Sequence, residues 1–390
     1  VTGKLAGVAR CSDAAIAAAR GRHGSEEAAN PSCPAASQVG RTLTGYGVGS
    51  ALTYTEGKVY LAGPHKGAPL SLVTVNPATI GPFDLGTIVI QSAFQIDPRT
   101  AQLRIDSSAS DPIPHILDGV VLHLRDIRVY IDRPEFTHNP SSCQPSRLES
   151  RITGSGASFA DRGDDSITTP SNHFQLLNCR ILGFQPRLGV RLRGGTRRGD
   201  YPELRVTFAA RGPNDSNLKD IAVVIPRQQF LAQEHIRSIC TRVQFAARAC
   251  PPASVYGKAV AHTPLLDESL RGNVYLRSSN GALPDLVADL YSGTVHIVLE
   301  GRIGPGKKGG IEAFFSELPD EPISRFTMTL FGGKRGLLVN SANICAKPPV
   351  SNVKTIAQNN IGAVFTTKLR GQCSKKKQKT GKQKGKGSRR

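Results

Sequence analysis

Apolar and polar residues alternate with a period of two over long stretches of this chain, the signature of strands with one buried face. Val120 to Ile131 alternates over most of its length, and Thr87 to Ile96 runs into the turn signal Asp97-Pro98 and a second short alternating run from Ala101 to Ile105. Further along, Val295 to Ile303 and Phe326 to Phe331 repeat the pattern. Between them Leu188 to Arg193, Leu204 to Ala210 and Ile221 to Pro226 read as strands parted by turns rich in Gly, Arg, Asn and Asp. Three segments break the rule: Ser12 and Thr241 stand as N-caps ahead of short runs of good helix formers, and Gln228 to Arg237 reads as a short helix. The expected fold is therefore mainly β, built of tandem antiparallel β-sandwich units with short disulfide-linked helices between them.

The cysteines organise this pattern. Cys11, Cys33, Cys143 and Cys179 are echoed in order by Cys240, Cys250, Cys345 and Cys373. The stretch Cys33-Pro34-Ala35-Ala36-Ser37 returns as Cys250-Pro251-Pro252-Ala253-Ser254, and Gly57-Lys58-Val59-Tyr60-Leu61 returns as Gly272-Asn273-Val274-Tyr275-Leu276. A duplicated module is expected, with the simplest pairing sequential: Cys11 to Cys33, Cys143 to Cys179, Cys240 to Cys250, Cys345 to Cys373. Eight cysteines permit about 105 connectivities, and the repeat is what selects this one. Such bridges place the protein in an oxidising compartment, extracellular or at the cell surface. No C-x-x-C pair occurs, which argues against a zinc site. The boundaries that follow are a helical cap at 1–32, a first sandwich at 33–143, a middle β-rich unit at 144–239, a helix and second sandwich at 240–345, a closing segment at 346–373 and a tail at 374–390.

These motifs, with the turn Leu192 to Asp200, the run Cys240 to Ala247 and the stretch Gly332 to Asn340, resemble a family of uncharacterised secreted tandem-repeat, β-rich proteins of actinobacteria. The resemblance extends from Leu5 to Cys373. It implies export, a surface or matrix location and further repeat units of a longer chain as partners, and it carries over no catalytic residue and no substrate.

Composition and charge narrow the function. At 390 residues, with 40 Gly and 26 Pro, the chain suits a turn-rich β protein of several units. Trp is absent and aromatics are few, which disfavours ring-face platforms for sugars or bases. No run of about 18 apolar residues offers a membrane span. Val1 to Arg10 lacks the pattern of a signal peptide, so an exported form is expected to be a processed product or part of a longer array. Of the formal charge of +20, nine positive charges stand in the last 17 residues and the body keeps +11. Lys375, Lys376, Lys377, Lys379, Lys382, Lys384, Lys386, Arg389 and Arg390 stand without an acidic or apolar neighbour, so the tail is expected to be disordered and to bind cell-wall polymer or another polyanion. That attraction would weaken with salt, being screened over about 10 Å at 0.1 M.

Catalytic motifs are weak. Gly301 to Lys308 approaches a phosphate-binding loop but has Lys308 where the magnesium-binding hydroxyl should be, and reads as a basic hairpin turn. The histidines show no metalloenzyme spacing, and His115, His123 and His296 sit in or near strands as structural residues. Asp161, Asp164 and Asp165 lie in a polar loop with too few oxygen ligands for a calcium site, and the two Arg-Gly-Asp triplets, Arg162 to Asp164 and Arg198 to Asp200, read as ordinary turns. No cofactor is implied. The reading that follows is a non-enzymatic, secreted structural or adhesive repeat protein. Two alternatives stay open: a secreted carbohydrate-active or other hydrolytic enzyme, which needs a cleft holding paired carboxylates or a Ser/His pair, and a nucleic-acid-binding protein, which needs a basic patch running from tail to body.

Overall fold

A computed structural model describes residues 2–47, 50–114, 116–154, 166–210, 212, 214–306, 310–346 and 348–373. The chain is mainly β, as its alternation implies, but the strands do not stack as sandwiches. The first set forms an open, curved sheet of six antiparallel strands: β1 (Gln38–Tyr46), β2 (Thr53–Ala62), β3 (Leu70–Ile80), β4 (Phe83–Ile96), β5 (Leu103–Asp106) and β6 (Leu124–Tyr130), in the order β5-β4-β3-β2-β1-β6. The second set closes on itself. Strands β7 (Arg187–Arg193), β8 (Glu203–Ala209), β9 (Leu218–Ile225), β10 (Val255–His262), β11 (Leu270–Arg277), β12 (Asp285–Ser292), β13 (Val295–Pro305), β14 (Ile311–Phe315), β15 (Arg325–Leu330), β16 (Val350–Ala357) and β17 (Gly362–Arg370) form an eleven-stranded barrel. Its order is β7-β8-β15-β10-β11-β12-β13-β14-β9-β16-β17. A parallel pairing of β17 with β7, Leu369 opposite Val190 and Arg370 opposite Arg191, seals the seam.

The physical reason for a barrel in place of a sandwich is visible along β7. Leu188, Val190 and Leu192 are buried while Arg187, Gly189, Arg191 and Arg193 are exposed. A twisted sheet whose strands carry such an apolar inner face can bury it by curling until its edges meet, which also removes the unpaired edges. The arginines that alternate along β7 are the outer wall. Apolar inside and charged outside is the reverse of a membrane-spanning barrel, and no helix among the described residues is long and apolar enough to cross a membrane.

The helices pack as staples on the outer faces of both sheets. Ser12 caps α1 (Asp13–Ala19) by accepting from the Ala15 amide, Ile16 and Ala19 bury against Tyr60, Val73 and Val75 of the open sheet, and α2 (Gly24–Ala29) follows. Thr241 caps α3 (Arg242–Ala246) in a capping box with Gln244, and Phe245 meets Tyr275 edge-on at 5.9 Å. Tyr60 and Tyr275 accordingly point away from Val59, Leu61, Val274 and Leu276, which face inward. The bridges are Cys11–Cys33, Cys143–Cys179, Cys240–Cys250 and Cys345–Cys373, with no free cysteine. Each helical staple is hung in the same way: the Cys11 amide donates to the Leu61 carbonyl, and the Cys240 amide to that of Leu276.

Three local expectations are corrected. Val120 to Ile131 is not one strand; it breaks at Leu122 and His123, where Leu122 turns into the concave face of the open sheet against Tyr46 and Ile88. Gln228 to Arg237 is not a helix. Its first part pairs as a strand, Gln229–Leu231 with Leu338–Asn340, because the buried Gln229 amide finds the Asn340 side chain at 2.8 Å, and a single 3-10 turn follows at Gln233–His235. The third is corrected only in part: from Gly301 the chain continues β13 as far as Pro305 before the expected hairpin turns it back, Pro305 opposite Ile311 and the Gly306 amide donating to the Gly310 carbonyl, and residues 307–309 lie outside the described residues.

Close strand approach makes one prediction. A Cβ at Gly272 of β11 would stand 1.7 Å from the Asp289 carbonyl oxygen, whereas one at Gly304 of β13 would meet nothing within 4 Å. Gly272→Ala should therefore destabilise the protein by about 3 kcal/mol or more, since the obstacle is backbone. Gly304→Ala should leave the denaturation midpoint nearly unchanged; equal effects in urea unfolding would contradict the packing.

Candidate functional site

Eleven strands enclose more than their side chains can fill. A barrel of about eight strands is just wide enough to be packed by its inward residues, and wider ones hold ligands. Here the inward alternation yields Leu204, Val206 and Phe208 on β8, Ile221, Val223 and Ile225 on β9, and Val295, Ile297, Leu299 and Ile303 on β13. Between them lies a cavity of about 920 Å³, near the upper end of the range of about 300–1,000 Å³ for small-molecule sites. The cavity runs out of the barrel along the open sheet, where Leu61, Leu70, Leu72, Phe94 and Ile96 continue its apolar wall. The two sheets are tied together around this passage: the Leu5 and Ala6 amides donate to the Leu265 carbonyl, the Val298 amide to the Pro98 carbonyl, and Arg99 pairs with Glu300 at 3.2 Å.

Polar residues stand at several points of the wall, Ser71, His138, Thr263 and Ser324 among them, and one group of them is tied to a carboxylate behind it, Asp320. Ser141, Ser216, Asn217 and Asp320 form a knot: Asp320 accepts from the Ser141 amide and hydroxyl, the Ser142 amide and the Asn217 side chain at 2.7–3.0 Å, and the Asn217 amide donates to the Ser141 hydroxyl. Beside it two carboxylates line the cavity with a buried oxygen that has no hydrogen-bond partner, Oδ2 of Asp215 and Oε2 of Glu321. Burial, aided by the charge of Asp320 next to it, pushes the Glu321 carboxyl up to about 7. Among the described residues of the cavity wall there is no Lys and no Arg, although the chain carries 50 of them against 30 acidic residues.

The geometry offers no assembled catalytic set. Neither cavity carboxylate is hydrogen-bonded to a histidine or to a serine hydroxyl among the described residues, and no cluster there could hold a metal ion. A Ser269 to His262 hydrogen bond at 2.7 Å is exposed and outside the cavity. His296 pairs with Asp289 at 2.6 Å and stacks on Tyr291 at 4.3 Å, on the outer side of β13. His123 lends its carbonyl to the Gly47 amide. In the second Arg-Gly-Asp triplet, Gly199 takes a positive φ, its amide donates to the Asn340 carbonyl and Asp200 accepts from the Arg197 amide, so the triplet is a tied turn. His115, Asp161, Asp164, Asp165, the first triplet and the whole basic tail from Lys375 to Arg390 lie outside the described residues.

The sequence signals missed the cavity because inward alternation looks the same in a filled and in a hollow barrel. Arg277 was missed too. It is a buried cation held by Glu300 at 2.7 Å and Asp285 at 3.3 Å, with its guanidinium over the Phe245 ring, and it anchors the Cys240–Cys250 staple to β11. Compared with known proteins, the chain matches no family model, no curated protein and no solved structure.

Glu321 makes the pH dependence testable. Its pKa in the folded protein lies above the unfolded value of about 4.3, so the native state holds more protons between the two. Its contribution to stability is therefore most favourable below about pH 4 and is lost as pH rises towards 7. Glu321→Gln should match the native chain in melting temperature near pH 4 and exceed it increasingly up to pH 7. A difference that is constant over that range would contradict the burial of this carboxyl.

Proposed function

We propose that this chain is a non-enzymatic, exported protein that binds one elongated apolar molecule in its barrel. The observation that carries the reading is the cavity of about 920 Å³ with its continuous aliphatic and aromatic wall. An apolar void of that size is costly to leave empty, since its lining gives up dispersion contacts, and water gains little there for want of polar partners. A long alkyl or isoprenoid chain fits the chemistry of the wall. Its polar end would sit beside Ser141, Asn217 and Glu321 of the wall.

Charge sets the class of that polar end. With two partnerless carboxylate oxygens and neither Lys nor Arg among the described lining residues, a carboxylate or phosphate brought beside those oxygens would be desolvated against like charge, which is unfavourable. A hydroxyl, an amide or an amine would instead donate to the free oxygens. The four disulfides suit an oxidising compartment, and the basic tail would keep such a carrier at a polyanionic surface. A purely structural or adhesive module needs a filled interior, and a hydrolase needs an assembled acid, base or nucleophile; the hollow, unarmed barrel favours binding over both.

The test is uptake of a neutral apolar fluorophore such as phenylnaphthylamine. Saturable binding near one per chain is expected, displaced by a long-chain alcohol or amine at least about tenfold more effectively than by the carboxylate of the same length. Ala313→Trp combined with Ile297→Trp, which fills the barrel from β14 and β13, should abolish uptake while the circular dichroism spectrum is kept. Absence of saturable uptake, or equal uptake by the filled variant, would sink the proposal.

A further inference from the structure

The open sheet has a template beside it in the barrel. Its order β5-β4-β3-β2-β1-β6 is that of β14-β13-β12-β11-β10-β15, and the pairing agrees in detail. A register shift between Gln38 and Gly40, opposite Tyr60 and Val59, has its counterpart between Val255 and Gly257, opposite Tyr275 and Val274. Following the registers outward sets Ile127 and Val129 of β6 in the positions of Phe326 and Met328 of β15. On the other flank, Leu103 and Ile105 of β5 take the positions of Ile311 and Ala313 of β14.

The equivalent positions differ in what covers them. In the barrel, β8 lies on β15, with Val206 opposite Met328 and Phe208 opposite Phe326, while β9 lies on β14, with Val223 opposite Ala313 and Ile225 opposite Ile311. Met328 is 6% exposed as a result. In the open sheet no strand among the described residues pairs with the outer side of β5 or β6. Ile127 and Val129 are 47% and 56% exposed, and Leu103 and Ile105 are 40% and 57% exposed. The hairpin around Leu117 and Leu122 fills part of the concave face against Ile88 but leaves both edges bare. Neither edge strand contains a proline, and the one register shift in β6, at Arg125, lies before Ile127 and Val129, so two edges with apolar side chains on one face are left as a template for added strands.

We propose that the edges of β5 and β6 are the docking site for a three-stranded segment of the same design as β7 to β9, supplied by a further module of this kind. The β7–β8 pair of that segment lies on β6 and its β9 strand on β5, so that one continuous stretch covers both edges. The same comparison gives the hairpin that follows Cys143 its role. It occupies the place in sequence that β16 and β17 hold after Cys345, and Leu148, Ile152 and Ile167 on it are more than half exposed. Once the segment docks, this hairpin closes the second barrel as β16 and β17 close the first. The inference stands apart from the proposed ligand and would survive its failure.

Amide hydrogen exchange tests it, comparing the native chain with one extended at its amino end by a second copy of residues 184–229. The amides of Leu124–Tyr130 and Leu103–Asp106 should slow by about tenfold or more in the extended protein. Ile127→Lys with Val129→Lys should cancel that slowing while leaving the melting temperature of the unextended chain unchanged. Should the extension disturb the barrel, seen as lost protection in β15, the same segment added separately to the native chain decides by the same readouts. Unchanged exchange in β5 and β6 beside a protected barrel would overturn the proposal. So would protection of β6 in the native chain alone accompanied by dimers in sedimentation, which would give the edge to a second copy.

Discussion

Closure of eleven strands into one ring is the constraint on which the rest of this molecule depends. Once the parallel contact between β17 and β7 seals the ring, the inward residues are fixed by alternation and their number is fixed by the strand count. The perimeter then exceeds what Leu, Ile, Val and Phe side chains can span. The void that results follows from the same geometry that removes the edges. Stability is met elsewhere, by the ladder hydrogen bonds, the buried outer faces under α1 and α3, and four bridges that restrict the unfolded chain.

Those staples show how a hollow barrel is kept from collapsing or opening. Cys11 and Cys240 hang from Leu61 and Leu276 on the outer faces of their sheets, so the helices load the wall from outside while the inner face stays free. Arg277, pinned between Glu300 and Asp285 beneath α3, orders the same region through charge. A buried triad of this kind costs desolvation, and its use lies in fixing one arrangement rather than in net stability. The Cys345–Cys373 bridge does the corresponding work at the seam, where β17 ends beside β7.

Much of the β content was legible along the chain. Strict alternation in Leu188 to Arg193 maps onto β7 with the arginines outside, and the caps at Ser12 and Thr241 start helices where their side chains can reach the following amides. Sheet closure was not legible, because a period of two states which side of a strand is apolar and not what that side faces. Sandwich and barrel share the pattern. The strand at Gln229 was hidden because a buried glutamine reads as helical and surface-exposed until its partner, Asn340, is known. Glu321 and Asp215 were passed over since single carboxylates in loops carry no spacing signal; only the fold brings them to the wall of one cavity.

A hollow barrel whose apolar wall holds two partnerless carboxylate oxygens is a specific physical claim. Crystals of the protein soaked with an ω-bromo long-chain alcohol test it most directly, because anomalous scattering from bromine locates the chain. The account predicts one bromine peak inside the barrel, among Val223, Ile297 and Leu299, with the hydroxyl end towards Glu321. Diffraction that shows the barrel interior filled by its own side chains, or the alcohol bound only on the outer surface, would contradict it.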